Sequence, residues 1–188
     1  MDTYRSFKEL RKREADYRIT WKDRNAHITV IAPHGGNIEP HTSEIAELVA
    51  ADRYNLFCFD GLRSTSNHVL HITSHNYDEE QALALVQSSA FAIAIHGCTR
   101  KDQMIYIGGL FDELKEQICA ALERAQIPSV VCDRTSGYGG KRADNICNKG
   151  ISGKGVQLEI SRPLRDSPKA WEKIAAAINE ALAALDLH

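Results

Sequence analysis

Two short, largely apolar runs end in the same way. His27–Ala32 (HITVIA) stops at Pro33-His34-Gly35-Gly36, and Phe91–Ile95 (FAIAI) stops at His96-Gly97. Each is too short for a buried helix and carries β-branched residues up to a turn signal. Each therefore reads as a strand buried on both faces. Such strands belong to sheets covered by helices on both sides. Further strands are predicted at Tyr54–Phe59, Val69–Thr73, Met104–Ile107, Pro128–Cys132 and Val156–Ile160. A surface helix is predicted over residues 3–15. Thr42 or Ser43 can cap a helix to about Ala51, with Glu44 and Glu47 in its early turns. Other helices are predicted from Asp78 to Ser88, from Phe111 to Gln126 and from Pro168 to Leu187, and Asp133–Lys154 reads as loop. The alternation gives an α/β fold, a mixed central β-sheet flanked by helices, with residues 1–188 forming a single domain.

Composition narrows the class. With 43% apolar and 26% charged residues the chain is an ordinary globular sequence, outside the disordered range. No apolar run approaches a membrane span, so no membrane partner is expected. The charged start MDTYRSFKELRKREADYR carries no signal-peptide core, which predicts a cytoplasmic protein. Cys58, Cys98, Cys119, Cys132 and Cys147 form no CxxC pair, as reduced thiols would. A net charge of −2 argues against nucleic acid.

The two strand ends are where chemistry is expected, because α/β proteins bind ligands at the carboxyl ends of their strands. His34 lies on a glycine turn, with Glu39 five residues on and His96 at the second strand end. Two histidines and one carboxylate suit a catalytic Zn²⁺ that keeps one position open. A hydrolytic site also needs a base. Val156, Leu158 and Ile160 alternate onto one strand face and leave Gln157 and Glu159 on the other. A carboxylate inside a short apolar strand is costly unless it is paired or functional, so Glu159 is the candidate base. His71 and His75 bracket a predicted strand end, where one of them could line the cleft; with His41 and His68 they read as mostly structural or exposed. Cys98 near His96 raises a Cys/His nucleophile, which strand alternation is expected to separate. The SGYGGK segment lacks phosphate-loop spacing.

The near-zero net charge hides an asymmetry. From Asn37 to Thr99 there are eight acidic and two basic residues; from Asp133 to Arg165 there are seven basic and three acidic, a local +4. A basic rim beside a metal cleft would draw an anionic substrate. Arg142, Lys149 and Arg165, with Asn145 among them, are the candidates to hold its carboxylates.

The segments APHGGNIEPHTSEIA, LHITSHNYDE, AIHGC, YIGGL, NICNKG and GVQLEISRPLR occur in an order that resembles the phage and prophage poly-gamma-glutamate hydrolases of Bacillus. That family is a zinc-dependent branch of the carboxypeptidase-like α/β fold. The resemblance implies one Zn²⁺ per chain on His34, Glu39 and His96, with Glu159 as the base that activates water. It implies cleavage of γ-glutamyl amide bonds in capsular polyglutamate, by an enzyme released when the host lyses. Lys149 stands where the family often has Arg, and a Lys lacks the planar fork of a guanidinium. Two other functions fit the same residues: a zinc amidohydrolase acting on N-acyl amino acids or cell-wall peptides, and a non-catalytic polyanion binder. Nothing in the sequence calls for more than a monomer.

Overall fold

The computed structural model describes residues 2–133 and 136–185. The odd and even residues of the central strands feed two different cores. Val30, Ala32, Leu56, Cys58, Ile93, Ile95, Val156, Leu158 and Ile160 face one side of the sheet. Ile31, Phe57, Phe59, Ala92 and Ala94 face the other. Apolar residues on both faces confine these strands to the middle of a covered sheet.

The sheet has seven strands: β1 (Tyr17–Lys22), β2 (Ile28–Gly36), β3 (Asn55–Gly61), β4 (Phe91–Cys98), β5 (Ile105–Gly109), β6 (Ser129–Val131) and β7 (Gly155–Ser161). Their spatial order is β1-β3-β2-β4-β7-β5-β6. β3, β2, β4 and β7 run parallel. β1 is antiparallel to β3, and β5 is antiparallel to β7, so the sheet is mixed. Helices α2 (Thr42–Ala50), α4 (Asp112–Arg124) and α6 (Pro168–Leu185) cover the first core. Helices α1 (Phe7–Leu10) and α3 (Glu80–Ser88) help cover the second, and α5 (Arg162–Arg165) follows β7 directly. From β2 the chain crosses to β3 on one side, and β4 later fills the other side. The crevice between the carboxyl ends of β2 and β4 is therefore a topological switch point. Among the described residues, no helix is long and apolar enough to cross a membrane.

Several predicted elements differ. Only Phe7–Leu10 of the amino-terminal segment is helical, because Tyr4, Phe7 and Leu10 are its buried apolar side chains and the charged residues beyond have no core to cover. The edge strand β1 went unpredicted; its pattern is half exposed. Val69–Thr73 is not a strand. Asn67–Leu70 forms a 3₁₀ turn, and the following residues run along the sheet ends without joining the ladder. A second 3₁₀ turn, Ile146–Asn148, interrupts the predicted loop. α3 begins at Glu80, where the Glu79 carboxylate accepts from the Ala82 N–H, while Asp78 instead accepts from the Phe7 N–H.

Arg165, a predicted substrate anchor, closes this architecture. It is 3% exposed, and its guanidinium donates to the carbonyls of Ile160 (3.0 Å), Pro40 (2.5 Å) and Cys98 (3.1 Å). One side chain thus ties the ends of β4 and β7 to the loop after β2. A Cβ on Gly97 would lie 2.5 Å from that guanidinium, which explains a glycine there. Arg165→Ala strands these buried carbonyls, which should cost about 3 kcal/mol or more and lower Tm by about 6–12 °C. A calorimetric Tm within about 2 °C of wild type would show that the clamp is not needed.

Candidate active site at the strand ends

A β-bulge aims the first histidine. Ala32 pairs with Cys58 and Gly35 with Asp60, so three steps along β2 match two along β3. The extra residue falls at Pro33-His34, where proline has no N–H to waste, and the strand bends. The turn that follows is closed by the Glu39 N–H donating to the His34 carbonyl at 2.8 Å. Gly36 sits at φ 60 against Gly61, and a Cβ there would approach the Gly61 carbonyl to 2.5 Å. Glu39 is thereby folded back over His34.

His34, Glu39 and His96 meet at one point. His34 Nδ1 lies 3.2 Å from Glu39 Oε1 and 3.2 Å from His96 Nδ1, and His96 Nδ1 is 3.7 Å from Glu39 Oε2. The Gly97 N–H donates to Glu39 Oε2 at 2.8 Å. The outer edge of each ring is held as well. His34 Nε2 lies 2.8 Å from the Ile72 carbonyl and must be the donor, so in the neutral ring the Nδ1 lone pair faces inward. His96 Nε2 meets Ser74 Oγ at 3.3 Å.

A third histidine joins them. His71 stacks on His34 with ring centroids 4.0 Å apart, and its Nε2 is 4.0 Å from Glu39 Oε1. Asp2 Oδ1 accepts from His71 Nδ1 at 2.9 Å, and Asp2 Oδ2 accepts from the Thr73 N–H at 2.7 Å. That carboxylate fixes the His71 tautomer with its Nε2 lone pair toward the site. Ligand atoms of His34, Glu39 and His71 lie within 4.8 Å of one another. The segment that carries His71 spends a carbonyl on His34 and an N–H on Asp2 in place of a ladder, so the strand predicted there does not form and His71, expected to be mostly structural, faces the site. The spacing of His71, Ser74 and His75 was the signal available in the sequence.

Glu159 sits one strand over. It pairs with His96 across β4–β7 and points to the same side of the sheet. Gln157 Nε2 donates to Glu159 Oε1 at 3.2 Å, and Asn145 Nδ2 donates to Gln157 Oε1 at 2.9 Å. Burial, with the charge of Glu39, raises the Glu159 carboxyl above its ordinary range despite the opposing pull of His96 and His34. Burial also works against ionised Glu39, but the charges and hydrogen bonds of His34 and His96 outweigh it and hold that carboxyl low. Burial and the charge of His34 push His71 down to about 4. Two neighbouring carboxyls with opposite tendencies are what a ligand and a base require.

These residues line a cavity of about 450 Å³, whose far wall is the 136–142 loop. Arg142 and Asn145 border it; Lys149 and Arg165 are not among the residues lining it. Arg142 is exposed and paired with Asp144 at 2.8 and 2.6 Å. Lys149 is half-buried after the 3₁₀ turn, with its N–H on the Ile146 carbonyl. Cys98 lies two residues beyond His96 and so on the same strand face, contrary to the expected separation. No nucleophile pair forms: the thiol's hydrogen-bond partner is the Glu159 carbonyl oxygen, and burial raises its pKa.

The donor set fits a zinc ion. His34 and His71 are held from outside with inward lone pairs, His96 Nδ1 turns inward beside them, and an ionised carboxylate completes three or four donors.

A family model for poly-gamma-glutamate hydrolases matches residues 4–176. The UPF0714 protein YndL of Bacillus subtilis (strain 168) is 35% identical over 168 residues, which is 88% of this chain and 66% of YndL. The chain thus spans just under two thirds of that relative's length. Among solved structures, a bacteriophage poly-gamma-glutamate hydrolase superposes over 100% of both chains with a TM-score of 0.92 at 30% identity. A zinc-free apo form of YndL superposes over 97% of this chain and 98% of its own, with a TM-score of 0.93 at 30% identity. Sheet order, strand-end histidines and family match agree: the chain belongs to the poly-gamma-glutamate hydrolase family.

Proposed function

We propose that this chain is a zinc-dependent hydrolase that cleaves the γ-glutamyl amide bonds of poly-gamma-glutamate, one zinc per chain, held by His34, Glu39 and His96. The observation that carries the reading is the inward-facing trio of His34 Nδ1, His96 Nδ1 and Glu39, with buried Glu159 beside His96 on the next strand. The bacteriophage enzyme it superposes on is named for the same polymer, and the zinc-free designation of the YndL structure points to the same metal. Capsule removal for a phage, by a monomer acting after lysis, is the corresponding biological role.

A bound zinc supplies a Lewis acid that makes water more acidic and polarises an amide carbonyl. Glu159 does the proton work. Burial raises its carboxyl pKa, which makes the ionised group a stronger base toward the attacking water, and the proton it takes is returned to the leaving amine. Gln157 fixes one Glu159 oxygen, which leaves the other free for water. Asp2 and Ile72 hold the rings of His71 and His34 from behind, so the site needs little rearrangement before it acts.

Glu159→Gln should keep its metal and lose kcat on polyglutamate by at least about 10²-fold, the scale of a lost general base. Near-normal turnover in that variant removes Glu159 from the role. Parallel assays on peptidoglycan fragments and N-acyl glutamates identify the substrate class; a chelator should abolish activity, and added zinc should restore it.

Metal analysis distinguishes the third ligand. His34→Ala and His96→Ala should lose stoichiometric zinc, whereas His71→Ala should bind it more weakly yet still saturate. The opposite pattern, zinc retained by His96→Ala and absent from His71→Ala, would give the position to His71.

A further inference from the structure

The basic segment holds several cations, and the fold commits most of them elsewhere. Arg165 is buried under three carbonyls, Arg142 is paired with Asp144, and Lys149 lies outside the cavity lining. Lys141 is different. It lines the catalytic cavity and has neither an acidic partner nor a side-chain hydrogen bond among the described residues. It also lines an adjoining cavity of about 420 Å³ with Gly109, Leu110 and Asp112. Asp112 is ion-paired at 2.6 Å with buried Lys115.

The backbone on either side of Lys141 is fixed. Asn148, 2% exposed, donates its Nδ2 to the Gly140 carbonyl at 2.8 Å and to the Arg142 carbonyl at 2.9 Å. Its Oδ1 accepts from the Leu110 N–H at 3.2 Å. One turn earlier the Gly109 N–H donates to the Gly139 carbonyl at 2.8 Å. A buried amide thus clasps the carbonyls on both sides of Lys141 and ties them to the end of β5. A cation on an ordinary flexible loop loses binding energy to ordering; this one has its backbone ordered in advance.

We propose that Lys141 is the specificity-determining cation of the site: presented by Asn148 at the junction of the two cavities, it receives the free α-carboxylate of a polyglutamate unit next to the scissile amide. This rests on the hydrolase reading above. A γ-linked polymer leaves one α-carboxylate on every unit, so a single ammonium carried on a fixed backbone beside the cleft selects that polymer over a neutral amide chain. The second cavity gives the polymer room to continue past Lys141, as cutting within a chain requires.

The experiment is steady-state kinetics of the full chain on poly-gamma-glutamate, comparing wild type with Lys141→Ala and Lys141→Arg. Lys141→Ala should raise KM about tenfold, the loss of one charge-assisted hydrogen bond, with kcat changed by less than about threefold. Lys141→Arg should recover most of the affinity. Polymer binding to Glu159→Gln should weaken by a similar factor when Lys141→Ala is added. An unchanged KM, or a fall confined to kcat, overturns the anchor while wild-type hydrolysis still upholds the hydrolase reading. Wild type that leaves the polymer intact overturns both.

Discussion

Everything at the site depends on one registration. β4 and β7 run parallel with His96 opposite Glu159, and β2 lies on the other side of β4. Parallel neighbours in register end at nearly the same height, so the His96 ring and the Glu159 carboxylate on adjacent strands cannot be far apart. β2 would not deliver its histidine by registration alone. Its last paired residue before the bend is Ala32, and only the extra residue at Pro33-His34 lets the strand turn its imidazole toward β4. The bulge lets a buried strand present an imidazole at its end without exposing its hydrophobic core.

Around that regular frame, irregular chain does the fixing. The Ile72 carbonyl, the Gly97 N–H, Ser74 Oγ and the Asp2 carboxylate each hold one edge of a site residue. The stretch after Leu70 does not join the sheet, although its composition would suit a strand; its Ile72 carbonyl and Thr73 N–H are engaged by His34 and Asp2 instead. The same trade occurs at the other wall, where Asn148 replaces regular pairing by clasping two loop carbonyls. In both places buried backbone polar groups are satisfied by side chains, and the chain gains a conformation that neither helix nor strand could supply.

The legible part of the sequence was the part governed by period and polarity. The central strands, the helices covering the first core and the strand-end positions of His34, His96 and Glu159 all follow from alternation and turn signals. Convergence of these residues with Glu39 followed from topology, since the strand ends of a parallel sheet share one crevice. What stayed hidden depends on pairings distant in sequence. His71 becomes a site residue because Asp2, from another part of the chain, orients it. Arg165 looked like a substrate anchor because a cation near Glu159 carries the right charge. Only the fold shows that its donors already have carbonyl partners. β1 was missed for a milder reason: an edge strand with one wet face has too little apolar content to declare itself.

The fate of the basic residues follows the same logic of occupied and unoccupied partners. Formal charge on a sequence counts every Arg and Lys alike, but a field at a cleft is made by the cations whose partners have not already answered them. Arg142 beside Asp144 is close to a neutral pair at any distance a polymer would feel, and Arg165 is screened within the protein by its carbonyls. The +4 of the segment therefore overstates what the cavity presents. Lys141 matters through position and lack of competition. Because its neighbours' carbonyls are clasped by a buried amide, its backbone is held at one place on the rim, which favours a localised contact over a diffuse attraction.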